Sequence, residues 1–195
     1  KMAQFNFSFS YDWQSSRNSS HTLTPFKLTY TNLLHTTHAF DSITGANPAI
    51  ALSFQSQYIP QLQYSYMYDR AFDADNSINW QFTVQEAGNL FWCVYELAGK
   101  HGEKELFGTQ FSQFVKGTTQ LVYNRRLRGD NWLVSRVALG AAHAYGNSKE
   151  VPYAEQFYVG GANSIRAFTV RSLGPGSYRP SQDVRDSYFD QTGTF

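Results

Sequence analysis

Few residues of this chain have the types and spacings that covalent chemistry needs. His35 and His38 stand three apart, but no third ligand follows at a metal-binding spacing. The single cysteine, Cys93, excludes a disulfide framework within the chain and any multi-cysteine metal site. There is no GxSxG elbow, no GxGxxG and no Gly-Lys-Ser/Thr phosphate loop. The reading is therefore non-enzymatic, with no catalytic residue, metal or cofactor; a His and a Ser held together at the outer rim would be the mark of the competing reading, a lipid hydrolase.

The side chain with a chemical task is Arg166, in the stretch FYVGGANSIRAFTVRSLGPG, residues 157 to 176. An exposed loop needs turn residues but not the repeated apolar bulk of Phe157, Tyr158, Val159, Ile165, Phe168, Val170 and Leu173. A guanidinium offers a planar fork of donors that fits a carboxylate, and when buried unpaired it costs several kcal/mol in effective terms. The expectation is an Arg166 that loses water and pairs with a carboxylate or several carbonyls. Gly160 and Gly161 permit a left-handed backbone, and Gly174-Pro175-Gly176 makes a return turn. That chemistry is recognition.

Such a loop needs a polar cavity to fold into, and the rest of the chain supplies one. Phe5, Phe7, Phe9, Tyr11 and Trp13 alternate with Asn6, Ser8, Ser10 and Asp12, and the same period of two recurs over Phe26–Tyr30, Leu62–Tyr68 and Ile78–Val84, then more weakly over Val115–Tyr123 and Leu133–Ala141. This predicts about six strands. The segments 15 to 25, 71 to 77 and 127 to 131 are short and polar, whereas 33 to 57, 88 to 110 and 147 to 190 are long. Up-and-down strands with short turns on one side and long loops on the other are the pattern of an outer-membrane barrel. Phe5, Phe7, Phe9, Tyr64, Tyr66, Trp80 and Phe82 then face lipid, and Ser8, Ser10, Gln63, Ser65 and Gln81 face the lumen.

Composition points the same way. Only 16% of the 195 residues are charged, against roughly 25% in typical soluble domains, while 17% are aromatic. The net charge of +1 gives a nucleic-acid partner no electrostatic footprint. A soluble β-sandwich also alternates, but its buried face is aliphatic and its exposed face rich in Lys and Glu. Here the rows are aromatic and uncharged-polar. Six strands leave open edges, which lipid does not tolerate, so the fold class is all-β, part of an antiparallel transmembrane barrel.

FYVGGANSIRAFTVRSLGP resembles the sixth extracellular loop of the BamA/TamA family of outer-membrane assembly barrels: an aromatic pair, two glycines, a spacer, an Arg-Gly-Phe core and a Gly-Pro close. Ala167 stands where the family has Gly, which would be strained if that position required φ above zero. The resemblance implies that 1–195 is the central portion of a barrel of about 16 strands, within the 8 to 26 of single-chain barrels, with the loop 147–190 folded into its lumen and with seam strands and periplasmic domains outside this sequence. It implies lumen contacts by Phe157, Tyr158, Gly160, Gly161, Ile165, Arg166, Ala167, Phe168, Gly174 and Pro175, with Arg166 pairing an acidic residue on a later strand. It also implies assembly of client outer-membrane proteins into the membrane, by pairing of client strands at a seam, with outer-membrane lipids and periplasmic or lipoprotein accessory subunits as partners. A loop plug that only stabilises the barrel is the plainer role for the same residues, and a polypeptide-secretion or passive transport channel is the alternative function.

Residues 88 to 99, GNLFWCVYELAG, break the period of two. Leu90, Val94 and Leu97 fall at i, i+4 and i+7, Asn89 can cap the start and Gly99 can end the turn, so a short amphipathic helix is expected over about 89 to 98. Its apolar side would pack on its own loops or dock a partner, with Cys93 a small packed residue.

Overall fold

The computed structural model describes residues 2–46, 56–99, 104–106, 109–162, 164–171 and 173. In chain order the elements are β1 (Met2–Ser16), β2 (Ser19–Leu33), α1 (His38–Ala46), β3 (Gln57–Ala71), β4 (Asn76–Ala87), α2 (Asn89–Leu97), β5 (Glu105–Leu106), β6 (Thr109–Gln110), β7 (Phe114–Arg128), β8 (Asn131–Ala144) and a 3-10 turn at Tyr153–Glu155. The six long strands form one antiparallel sheet in the order β1-β2-β3-β4-β7-β8, while β5 and β6 make a separate two-residue ladder inside a long loop. Each long strand thus pairs with the next long strand of the chain, the meander that alternating turn lengths predict.

The first turn is tighter than its polar sequence suggests. Only Arg17 and Asn18 separate β1 from β2, and Ser19 to Pro25, read as turn, belong to β2. Their polarity is absorbed sideways: Ser10 and Thr24 hydroxyls meet at 2.8 Å, Thr22 donates to Asp12 at 2.5 Å, and the His21 ring stacks on Trp13 at 5.0 Å. Pro25 falls in the register shift between Thr24 and Lys27, a bulge where its missing N–H is tolerated. The helix α1 is not predicted at all; with Ser, Thr and Gly among nine residues its propensity is low.

Strands of 15 residues run about 50 Å, and at a tilt near 45° still rise about 35 Å, some 10 Å more than an apolar band of about 25 Å. The excess carries the charge, as at Asp69 and Arg70 of β3 and Arg125, Arg126 and Arg128 of β7.

Register divides the faces as the alternation predicts. Phe5 pairs with Tyr30, Phe7 with Leu28, Tyr66 with Phe82, and Trp80 with Leu121 on one face; Ser8 pairs with Lys27, Gln63 with Gln85 and Ser65 with Thr83 on the other. The polar face bonds across strands, Gln85 Nε2 donating to Gln63 Oε1 at 2.8 Å and the Ser65 and Thr83 hydroxyls meeting at 3.1 Å. The aromatic face is bare, with Phe9 60% exposed. No second sheet covers it among the described residues, which removes the sandwich. The small core of Ile59, Ala87, Phe114 and Val151 lies instead on the polar face, at the long-loop end.

Candidate functional site

That core exists because the segment after β8 turns back onto the polar face. Tyr145 N–H donates to the Gln113 carbonyl at 3.2 Å, Gly146 turns with φ 60°, and Gln113 N–H donates to Ser148 Oγ at 2.8 Å. Asn147 then ties the neighbouring loop, its Nδ2 donating to the Lys104 and Phe111 carbonyls at 2.8 and 2.9 Å. Val151 drops into the core, and the 3-10 turn places Glu155 over the sheet. One Glu155 oxygen accepts from Gln61 Nε2 at 2.8 Å, and the other meets Lys116 Nζ at 3.0 Å. The pair is about five-sixths buried, 17% and 15% exposed, so removing either partner alone would leave the other a largely desolvated, uncompensated charge.

Phe157 completes the seat. The tip of its ring meets Gly140 of β8, where an added Cβ would stand 2.6 Å from Cζ, and Lys116 Nζ lies 5.0 Å from the ring centroid. A strand that offers Gly140, Ala142 and Ala144 to its polar face leaves room for a loop to lie down. Of the residues expected to contact the inner wall, Phe157 is the one shown against it. Glu155, Lys116, Gln61 and Gly140 are the wall contacts that sequence reasoning passed over; the run of small residues at alternate positions of β8 was the available signal.

Beyond the seat the chain forms a small hairpin. Gly161 N–H donates to Phe168 O at 2.9 Å, Arg171 N–H to Val159 O at 3.1 Å, and Val159 bridges Leu173. Gly160 and Gly161 have φ 107° and 89°. A Cβ on Gly160 would collide with the Thr169 carbonyl, and one on Gly161 would come within 2.7 Å of Val170 Cγ2, so the two glycines serve close approach as well as a left-handed backbone. The tip is a turn closed by Phe168 N–H on Ile165 O at 3.1 Å, with Arg166 and Ala167 between. Among the described residues Arg171 is the only non-glycine with positive φ, so Ala167 escapes the strain that its departure from the family motif raised.

Arg166 itself is exposed, its Nε donating to the Ala162 carbonyl at 3.3 Å. The expectation of a desolvated Arg166 is not met by the residues described here: the guanidinium keeps its water and meets no carboxylate. Tyr158, Ile165 and Phe168 are also exposed, at 49%, 45% and 46%, rather than packed on the wall. Tyr158 instead meets a second cation, Arg171, whose guanidinium carbon lies 4.0 Å from the Tyr153 ring centroid and 4.8 Å from that of Tyr158. With φ 63°, Arg171 holds a strained backbone for this contact. Gly174 and Pro175 lie outside the described residues.

The rim above the seat is built by α2. It spans Asn89–Leu97, within a residue of the expected bounds, but its first residue is not its cap. Gly88 occupies that position at φ 81°, with no side-chain capping bond, and Asn89 Oδ1 accepts from Tyr145 Oη at 3.0 Å and Gln113 Nε2 at 3.3 Å. Asn89 is drawn away from its helix because it joins three loop segments. Lys104, 3% exposed, bonds Glu96 at 2.5 Å and lies 4.3 Å from the Trp92 ring centroid. Cys93, expected to be packed, is exposed.

The sequence matches the Omp85 superfamily domain over residues 2–193. Over 82 residues, 42% of this chain, it is 45% identical to the outer membrane protein assembly factor BamA of Neisseria meningitidis serogroup B. That stretch is 10% of the relative, so the chain spans a small part of the curated protein it resembles. A family match over nearly the whole chain, on an up-and-down antiparallel sheet with a bare aromatic face, shows that the chain belongs to the Omp85 superfamily of outer-membrane β-barrels and is of the BamA/TamA type.

Proposed function

We propose that this chain is the central barrel portion of a factor that inserts client proteins into the outer membrane, acting without covalent chemistry. The observation that carries the reading is the loop after β8, seated on the polar face by Glu155 and Phe157 and presenting Arg166 at the tip of a glycine-shaped hairpin. The similarity to an assembly factor supports it. In this reading client strands add to an exposed barrel edge, ordinary β-augmentation, while Arg166 engages an acidic group that lies beyond these residues. Outer-membrane proteins are the clients, and periplasmic or lipoprotein subunits assist.

The test replaces Arg166 in cells that depend on the protein. Among the described residues Arg166 makes one long bond to a carbonyl, so Arg166→Ala costs the hairpin under about 1 kcal/mol and leaves the protein's own heat-modifiable folded fraction unchanged. The expected result is a fall in folded client barrels, with partial rescue by Arg166→Lys, which lacks the planar fork. Unchanged client levels in Arg166→Ala overturn the role given to this residue. A large, steady ion conductance of the purified protein in planar bilayers, unaffected by the loop variants, would favour a transport channel instead.

A further inference from the structure

The helix α2 leaves bare the side chains that its period sets aside for packing. Phe91 and Tyr95 rest against buried Phe111, with ring centroids 6.2 and 6.1 Å apart. Leu90, Val94 and Leu97, the predicted apolar stripe, are 62%, 55% and 90% exposed. Beside them runs a groove of about 240 Å³, walled by Leu90 and Phe91 of α2 and by Phe26, Pro60 and Leu62 of the lipid-facing rows of β2 and β3. Phe26 pairs in register with Phe9, so the groove continues directly into the bare aromatic face.

We propose that this groove seats one acyl chain of an outer-leaflet lipid, with α2 lying at the bilayer surface and its Leu90–Val94–Leu97 stripe in the same leaflet. Three observations choose that occupant. The groove is a recess in a surface that already faces lipid. Its volume is below the roughly 300–1,000 Å³ of ordinary ligand pockets, enough for a stretch of hydrocarbon and too little for a partner helix. Finally, the walls are mostly apolar, Phe26, Pro60 and Leu62 on the strand side and Leu90 and Phe91 on the helix side. A lipid brings the apolar chain that such walls accept. A nine-residue helix is about 13.5 Å long, too short to cross the bilayer and suited to its interface.

The experiment installs a diazirine amino acid at Leu62, in the groove, or at Leu121, on the lipid face outside it. Irradiation in native outer membranes should give lipid adducts at both positions. When irradiation instead follows detergent extraction and washing, Leu62 should still give its adduct while the yield at Leu121 falls at least about tenfold, a preference of about 1.4 kcal/mol for the seated chain. Cys93→Trp, which fills the groove from its helix side, should abolish the retained adduct while the barrel keeps its heat-modifiable mobility. Parallel loss at Leu62 and Leu121, retention of the adduct in Cys93→Trp, or a peptide adduct at Leu62 would each overturn the proposal. It holds or fails independently of whether the barrel assembles clients.

Discussion

Substituting Gly140 by Ala should separate the stability of the loop from that of the barrel, with opposite signs. The added Cβ would stand 2.6 Å from Phe157 Cζ and 2.7 Å from Cε1, against the 3.5–4.0 Å of ordinary carbon contacts, so the ring must move about 1 Å. It has little room, since Lys116 Nζ lies 5.0 Å from the ring centroid and is itself tied to Glu155. Overpacking of this kind costs about 1–3 kcal/mol. The strand gains, because Gly in a strand interior is about 0.5–1 kcal/mol worse than Ala, and Gly140 has no positive φ to relax. Hydrogen exchange in lipid bilayers reads both effects: amides of the loop seat should exchange about 5- to 150-fold faster, while those of β7 and β8 slow or stay level. In a double-mutant cycle, Phe157→Ala should cancel most of the penalty, giving a coupling of at least about 1 kcal/mol. Unchanged loop exchange in Gly140→Ala, or strict additivity in the cycle, would refute the seat.

Gly160→Ala should open the hairpin, since φ 107° costs an L-residue about 1–2 kcal/mol and the new methyl meets the Thr169 carbonyl; accelerated exchange at the Gly161 and Arg171 amides is the measurement, and Ala167→Gly, at a position without positive φ, should not reproduce it. Arg171→Ala and Arg171→Gly both lose the contact with Tyr153 and Tyr158, but Gly should be the milder by about 1 kcal/mol because φ 63° suits it, as comparative proteolysis of the loop will read. In the short turn between β3 and β4, bonds from the Asn76 side chain and the Asp75 amide hold the Asp73 carboxyl below its usual range. A depressed carboxylate stabilises above its unfolded pKa and loses that contribution as pH falls through the folded value, so wild type and Asp73→Asn should differ in turn exchange near neutrality and converge as pH falls below the usual carboxylate range.

The strands were legible because their environment is two-sided: an alternation of aromatic and uncharged-polar residues has one solution, and six strands appear where the period places them. Errors fell where polarity had another cause. Ser19 to Pro25 read as a turn because Ser, His, Thr and Pro are turn-rich, yet the Ser19, Thr22 and Thr24 hydroxyls find partners on β1 or β3 and the proline sits in a bulge. The loop's Gly-Gly geometry was readable from the glycines alone. Its anchor was not, because Glu155, Lys116 and Gln61 are ordinary polar residues separated by up to 94 positions, and only the fold brings them together. The apolar stripe of α2 was correctly placed but wrongly buried: a period of 3.6 identifies which residues share a face, not whether that face meets protein or lipid.

Two kinds of support fix Arg166, and they do not depend on each other. The seat at Val151, Glu155 and Phe157 sets where the loop leaves the wall, through apolar burial and one part-buried ion pair. The hairpin beyond it takes its shape from its own backbone bonds and from glycines that alone allow the strands so close. Weakening the seat therefore lowers the fraction of time the loop is docked, without changing the tip; altering Gly160 deforms the tip while the seat holds. Replacing Arg166 does neither, since its one bond among the described residues is long and exposed. Loss of client assembly in Arg166→Ala with full exchange protection at the seat and hairpin thus isolates recognition by the guanidinium from everything that positions it, and a variant in which protection and assembly fall together would assign the residue to the scaffold.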